Sequence, residues 1–132
     1  MREIKFRGMH NGKWIYGYLV ELRVCCSEET KYAIESPEFE PVPVDEKTIG
    51  EFAGCRDKNG VEIYDGDIVE KPVERWNGWK LAPTDEKERF LVYREVGRWI
   101  LYDEKTGKYF SHLTYFDSAE LEVVGNIFEV EF

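Results

Sequence analysis

The stretch VDEKTIGEFAGCRDKNGVEIYDGDIVE, Val44 to Glu70, holds the densest run of structural signals in the chain. Asp45-Glu46-Lys47-Thr48 reads as one helical turn with Asp45 as its cap. Thr48 to Phe52 reads as a strand. Asp57-Lys58-Asn59-Gly60 is a turn built on an Asn-Gly pair, the dipeptide that favours tight hairpins. Val61-Glu62-Ile63-Tyr64 alternates apolar and polar residues, as a half-buried strand does. Asp65-Gly66-Asp67 then breaks the strand. Gly66 suits a backbone position with positive φ, and the Asp67 carboxylate suits nearby backbone donors. Ile68-Val69-Glu70 begins another strand. The hairpin from Thr48 to Val69 therefore predicts a β domain.

Outward from this hairpin the same pattern recurs. In Glu3-Ile4-Lys5-Phe6-Arg7 the apolar residues fall at every second position. A second Asn-Gly pair, Asn11-Gly12, separates this segment from Trp14–Val20, so the first twenty residues read as one hairpin. Lys31–Glu35 reads as a short strand. The acidic stretch that follows carries Pro37, Pro41 and Pro43. Proline lacks a ladder donor, so an extended connector is expected there rather than a sheet interior. Residues 71–89, punctuated by Pro72, Asn77-Gly78 and Pro83, read as irregular. Strands resume at Phe90–Arg94, Arg98–Tyr102, Lys108–Phe116 and Leu121–Glu129, with a helical turn expected at Asp117–Glu120. No long segment has the 3.6-residue helical period. The expected fold is all-β or nearly so, a small barrel or sandwich of antiparallel strands. Ile49-Gly50-Glu51-Phe52 also echoes Val124-Gly125-Asn126-Ile127. The echo reads either as coincidence or as two strands that pair, with their glycines allowing close backbone approach.

With 132 residues the chain is long enough for one domain with a real core. Aromatic residues make up 15%, ample material for a β core, and the charged 34% is dispersed among apolar residues rather than segregated as in disordered chains. The 27 acidic and 18 basic residues give a net charge of −9, which repels nucleic acid globally and favours solubility and basic partners. Cys25, Cys26 and Cys55 are odd in number, and the first seven residues already carry several charges. A reducing, cytoplasmic location is expected, without a disulfide framework and without a membrane span.

Three blocks resemble the YopX-like family of bacteriophage and prophage proteins. They are Arg2–Gly8 with Trp14-Ile15-Tyr16-Gly17-Tyr18, the run Val44–Glu70, and Leu121–Glu129. Together they cover about half the chain, in order, and the central block is the most specific. The resemblance implies a single YopX-like domain over residues 1–132, with an N-terminal β subregion (1–67) and an SH3-like barrel subregion (68–132). It implies a phage or integrated-element origin, hence the cytoplasm of a bacterial host, and it implies no activity.

The residues themselves assemble no recognisable catalytic site. Adjacent Cys25 and Cys26 point to opposite faces of a strand, and His10 and His112 are remote in sequence, so no zinc set is expected. Counted from Asp57 as a calcium loop, the fifth position is Val61 and the twelfth Ile68, where oxygen ligands are required. Cys55 with His112, and Asp65 with Asp67, are the nearest approaches to a nucleophile–base pair or a carboxylate pair, and nothing local activates either. No cofactor fingerprint is present, and the chain is expected not to be an enzyme. Two binding readings stand. The first is a protein-interaction module that engages a host or phage protein, or a second copy of itself, through Trp76 and Trp79. The alternative is nucleic-acid binding through the basic N-terminal hairpin, where Arg2, Lys5, Arg7, Lys13 and Arg23 concentrate positive charge to meet phosphates and Trp14, Tyr16 or Tyr18 stack on bases. Against the latter, these basic residues read simply as the solvent face of a hairpin, paired with the acidic connector.

Overall fold

A computed structural model describes residues 4–23, 30–95, 98–103, 105–106, 109–113 and 118–128. Arg2, Cys25, Cys26 and Asp117 lie outside the described residues. The chain forms two compact units that divide between Gly54 and Cys55.

The first unit contains β1 (Phe6–His10), β2 (Lys13–Arg23), β3 (Thr30–Ser36), β4 (Phe39–Pro43) and most of β5 (Gly50–Arg56). They run antiparallel in the order β4-β3-β2-β1-β5. Asn11 and Gly12 both have positive φ, 49° and 78°, and close the first hairpin with His10 opposite Lys13. That double requirement is what an Asn-Gly pair meets at low steric cost. The proline-rich connector ends in β4, an edge strand beside β3, with Ala33 opposite Pro43 and Ile34 opposite Val42. An edge strand has one side free of partners, so the missing proline donors cost it little. Asp45 caps a 3-10 turn at Glu46–Thr48 by accepting the Lys47 amide at 3.1 Å. Thr48 belongs to that turn rather than to a strand. Its Oγ1 accepts the Met9 amide at 2.8 Å and donates to the Asp45 carbonyl at 2.7 Å. Ala33, Ile34 and Phe52 are buried in this unit.

The second unit contains the end of β5, then β6 (Glu62–Tyr64), β7 (Asp67–Trp76), β8 (Leu81–Glu95), β9 (Arg98–Asp103), β10 (Tyr109–His112) and β11 (Glu122–Asn126). Its main sheet is antiparallel, in the order β10-β9-β8-β7-β11, and among the described residues it does not close into a barrel. The core is Ile63, Tyr64, Ile68, Val69, Phe90, Val92, Ile100, Leu101 and Leu121.

The Asn-Gly pair at 59–60 forms a different turn from that at 11–12. The Gly60 amide donates to the Asp57 carbonyl at 3.0 Å, and the Asp57 amide donates to Val61 at 2.8 Å. Only Gly60 of this pair has positive φ (80°). This is a three-residue connection ending in a left-handed glycine. Gly66 has φ 93°, and its backbone bonds both neighbours: its amide donates to Val92 at 2.9 Å, and its carbonyl accepts from Ile127 at 3.0 Å.

The echo of residues 49–52 in 124–127 is coincidence rather than pairing: β5 lies beside β1, and β11 beside β7. One expectation is corrected. Residues 71–89, read as irregular, are instead the outer parts of β7 and β8 with the connection between them. A register shift between Pro72 and Glu74 accommodates the proline.

Candidate interaction site

β7 and β8 stay paired out to Trp76 opposite Leu81. β11 covers β7 only at Asp67–Glu70, and β9 covers β8 only at Phe90–Glu95. Beyond those limits, among the described residues, the two strands continue as a two-stranded ribbon. A lone hairpin is marginally stable in water, and this one is braced along its length. Thr84 Oγ1 donates to the Val73 carbonyl at 2.7 Å, Arg75 pairs with Glu86 at 2.6 Å, and Arg89 Nε donates to Glu70 at 3.0 Å. At its base the Lys71 ammonium lies 5.0 Å from the Phe110 ring centroid and 5.6 Å from that of Phe90, and the two rings are 4.5 Å apart.

The tip is closed by Asn77, whose Oδ1 accepts the amides of Trp79 and Lys80 at 3.0 and 3.1 Å. Gly78, at φ 98°, takes the left-handed position. This local order holds three large apolar side chains in solvent: Trp76 is 66% exposed, Trp79 88% and Leu81 60%. The charged residues of the tip, Arg75 and Lys80, are both basic in a chain of net charge −9. Exposed single apolar residues are ordinary, but two tryptophans and a leucine on one short turn are a concentrated apolar surface. Sequence reading singles out Trp76 and Trp79. Leu81 escapes it, because only the strand register places Leu81 opposite Trp76.

The basic hairpin is arranged differently. Arg2 lies outside the described residues, as does the Arg23 side chain. Lys5 is half-buried and Lys13 exposed. Arg7 is only 5% exposed, and its guanidinium lies 4.4 Å over the ring of half-buried Trp14. Arg7 sits opposite Tyr16 and Trp14 opposite Met9, so Arg7 and Trp14 are diagonal neighbours, a spacing that long and aromatic side chains bridge. Ile4, by contrast, faces solvent. The alternation read in residues 3–7 thus has the opposite facing at these two positions.

The carboxylates of the central hairpin serve the backbone. Asp57 accepts the amides of Asn59, Val61 and Val123 at 2.8, 2.9 and 2.8 Å. Asp67, buried, accepts the Tyr64 amide at 2.7 Å, and Asp65 accepts that of Arg94 at 3.3 Å. Cys55 is buried in β5, and the His112 side chain lies outside the described residues. Among the described residues no three His, Cys, Asp or Glu side chains gather where a metal ion could be held. No helix among them is long and apolar enough to cross a membrane.

These features define a nearly all-β protein of two antiparallel sheets, one of which extends an aromatic-tipped ribbon. A family model described as YopX protein matches residues 5–130, almost the whole chain, and the protein belongs to that family. Comparison with curated proteins gives no match.

Proposed function

We propose that the protein is a non-catalytic phage or prophage accessory protein of the bacterial cytoplasm, and that it engages a host or phage protein through the tip of the β7–β8 ribbon. The observation that carries this reading is the pair Trp76 and Trp79, 66% and 88% exposed on a braced turn. Tryptophan anchors of this kind dominate binding energy where a partner covers them, and a preorganised turn loses little entropy on binding. The absence of an activity is part of the proposal. It is supported by the use of Asp57, Asp65 and Asp67 as backbone caps. Residues 68–132 are read as an SH3-like barrel variant. In support, a four-strand meander, β7 to β10, has the last described strand, β11, added beside its first.

The competing nucleic-acid reading loses support from the burial of Arg7 against Trp14. A photo-crosslinking residue placed at Trp79 in a host lysate tests the proposal. The expected result is a discrete protein adduct that Trp76→Ala abolishes and that the same probe at exposed Lys105 does not form. Adducts indifferent to Trp76→Ala, or identical from both positions, would remove the ribbon tip from the account.

A further inference from the structure

We propose that Asn11-Gly12, at the tip of the first hairpin, is a self-modification site. His10 promotes conversion of Asn11 to an aspartyl or isoaspartyl residue, with water as co-reactant and ammonia as the leaving product. The chain holds three Asn-Gly pairs, at 11–12, 59–60 and 77–78. Glycine after asparagine favours this chemistry, because it puts no Cβ in the way of ring closure. The surroundings of the three pairs differ, and those of the first fit the reaction.

The imidazole is held in one orientation. Residues 43–48 are fixed to the end of β1: the Asp45 amide donates to the Met9 carbonyl at 2.9 Å, and Thr48 Oγ1 accepts the Met9 amide at 2.8 Å. His10 Nδ1 lies 2.7 Å from the Pro43 carbonyl. A carbonyl only accepts, so Nδ1 carries the proton and Nε2 of the neutral ring keeps its lone pair. Asn11 Nδ2 lies 3.2 Å from Nε2 and donates to it. The nitrogen that must leave therefore sits beside a proton-transfer group that a third group orients. The nucleophile is also available. Among the described residues no acceptor takes the Gly12 N–H. A Cβ at Gly12 would meet nothing within 4 Å, and both residues are exposed, so the peptide has room to swing toward Asn11 Cγ. The other pairs are arranged otherwise. The Gly60 amide donates to the Asp57 carbonyl at 3.0 Å, and Asn77 Oδ1 is held by the amides of Trp79 and Lys80 at 3.0 and 3.1 Å.

The Gly12 nitrogen attacks Asn11 Cγ and an N–Cγ bond forms. The Gly12 proton passes through solvent to His10 Nε2, which hands it to Nδ2. The Cγ–Nδ2 bond breaks, ammonia leaves, and a succinimide ring and neutral His10 remain. Water then opens the ring. Attack at Cγ gives aspartate, and attack at the backbone carbonyl of residue 11 gives isoaspartate. The turn gains one negative charge. Each chain reacts once at this pair, so no external substrate is turned over.

The test is incubation of the full chain in neutral buffer made with heavy-oxygen water, followed by peptide mapping in a mass spectrometer. Heavy oxygen should enter residue 11 about tenfold or more faster than residues 59 and 77, the least that a positioned acid–base group contributes. In urea, where the hairpin is lost, the three rates should converge. His10→Gln should slow labelling at residue 11 about tenfold or more in the folded chain and leave residues 59 and 77 unchanged. Gly12→Ala should slow it as well, by placing a Cβ at the attacking residue. If His10→Gln unfolds the chain, labelling at 59 and 77 rises to the urea values and reveals it. The ranking of the three sites in the native chain and the Gly12→Ala rate then decide. No label at residue 11, equal labelling of the three pairs in the folded chain, or a His10→Gln rate equal to that of the native chain at residue 11 would each overturn the proposal. Trp76→Ala should leave the rate at residue 11 unchanged, so this site and the ribbon stand or fall separately.

Discussion

Asp57 accepts the amide of Val123, 66 positions away in the chain, at 2.8 Å. The same carboxylate organises its own turn. Oδ1 takes the amides of Asn59 and Val61 while Oδ2 takes that of Val123, so one side chain fixes the β5–β6 connection and ties it to β11. The backbone adds a parallel link, since the Lys58 amide donates to the Leu121 carbonyl at 2.9 Å. Asp57 is itself buried. Asp57→Ala leaves three amides to find other acceptors, and a bond to a charged group contributes about 1.5–3 kcal/mol. The expected loss is about 2–4 kcal/mol, read as a lower urea midpoint at unchanged slope. Asp57→Asn should cost less, because one carbonyl oxygen remains for the turn.

Gly66 gives a second stability prediction, of backbone origin. At φ 93° an alanine is strained whatever its surroundings, and here an added Cβ would also lie 3.2 Å from the Phe128 ring. Gly66→Ala should destabilise by more than about 1 kcal/mol. Gly12→Ala, with a comparable φ of 78° but open space around it, isolates the conformational part and should cost less. Thermal melts of the two variants side by side separate strain from crowding.

These residues also show what the sequence makes legible. Asn11-Gly12 announces its hairpin because both residues need positive φ. The Asp45 cap is equally local. Asn59-Gly60 is the same dipeptide, yet it forms another turn, because the Asp57 carboxylate organises the loop and is anchored to a strand far along the chain. The ribbon leaves no periodic signal because both of its faces are wet. Residues 74–81 are all exposed, so no alternation is imposed on them. The tryptophans of the tip stand out by composition alone, while their grouping with Leu81 depends on register.

The exposed tip predicts a dissociation of binding from stability. Trp76→Ser and Trp79→Ser remove side chains that pack on little of the fold, so unfolding free energy should move by no more than about 0.5 kcal/mol. Partner binding should fall by roughly 30-fold or more for each, the consequence of losing about 2 kcal/mol at an interface anchor. Fluorescence offers a check that needs no partner. Of the four tryptophans, Trp14 and Trp99 are half-buried, so Trp76 and Trp79 should supply the red-shifted, acrylamide-quenchable emission. Trp76→Phe with Trp79→Phe should remove most of it. An unchanged quenching profile would mean that the tip is covered in solution.

Arg7 should behave as a structural residue. Its guanidinium, 4.4 Å over Trp14, is largely shielded from water, where a cation–π contact is worth up to about 2 kcal/mol. Arg7→Ala should therefore lower stability by about 1–3 kcal/mol once lost packing of the stem is included. Arg7→Lys should recover only part, since an ammonium does not reproduce the planar stack. Exposed Lys13, changed to Ala, should leave the urea midpoint unmoved. This contrast decides how a nucleic-acid shift assay is read. Weakening by Arg7→Ala alone would reflect damage to the hairpin, because the variant is itself destabilised. A phosphate-contacting hairpin must instead lose affinity on Lys13→Ala and Lys5→Ala, at unchanged stability, with a reduced dependence on salt. The expected outcome is no such loss.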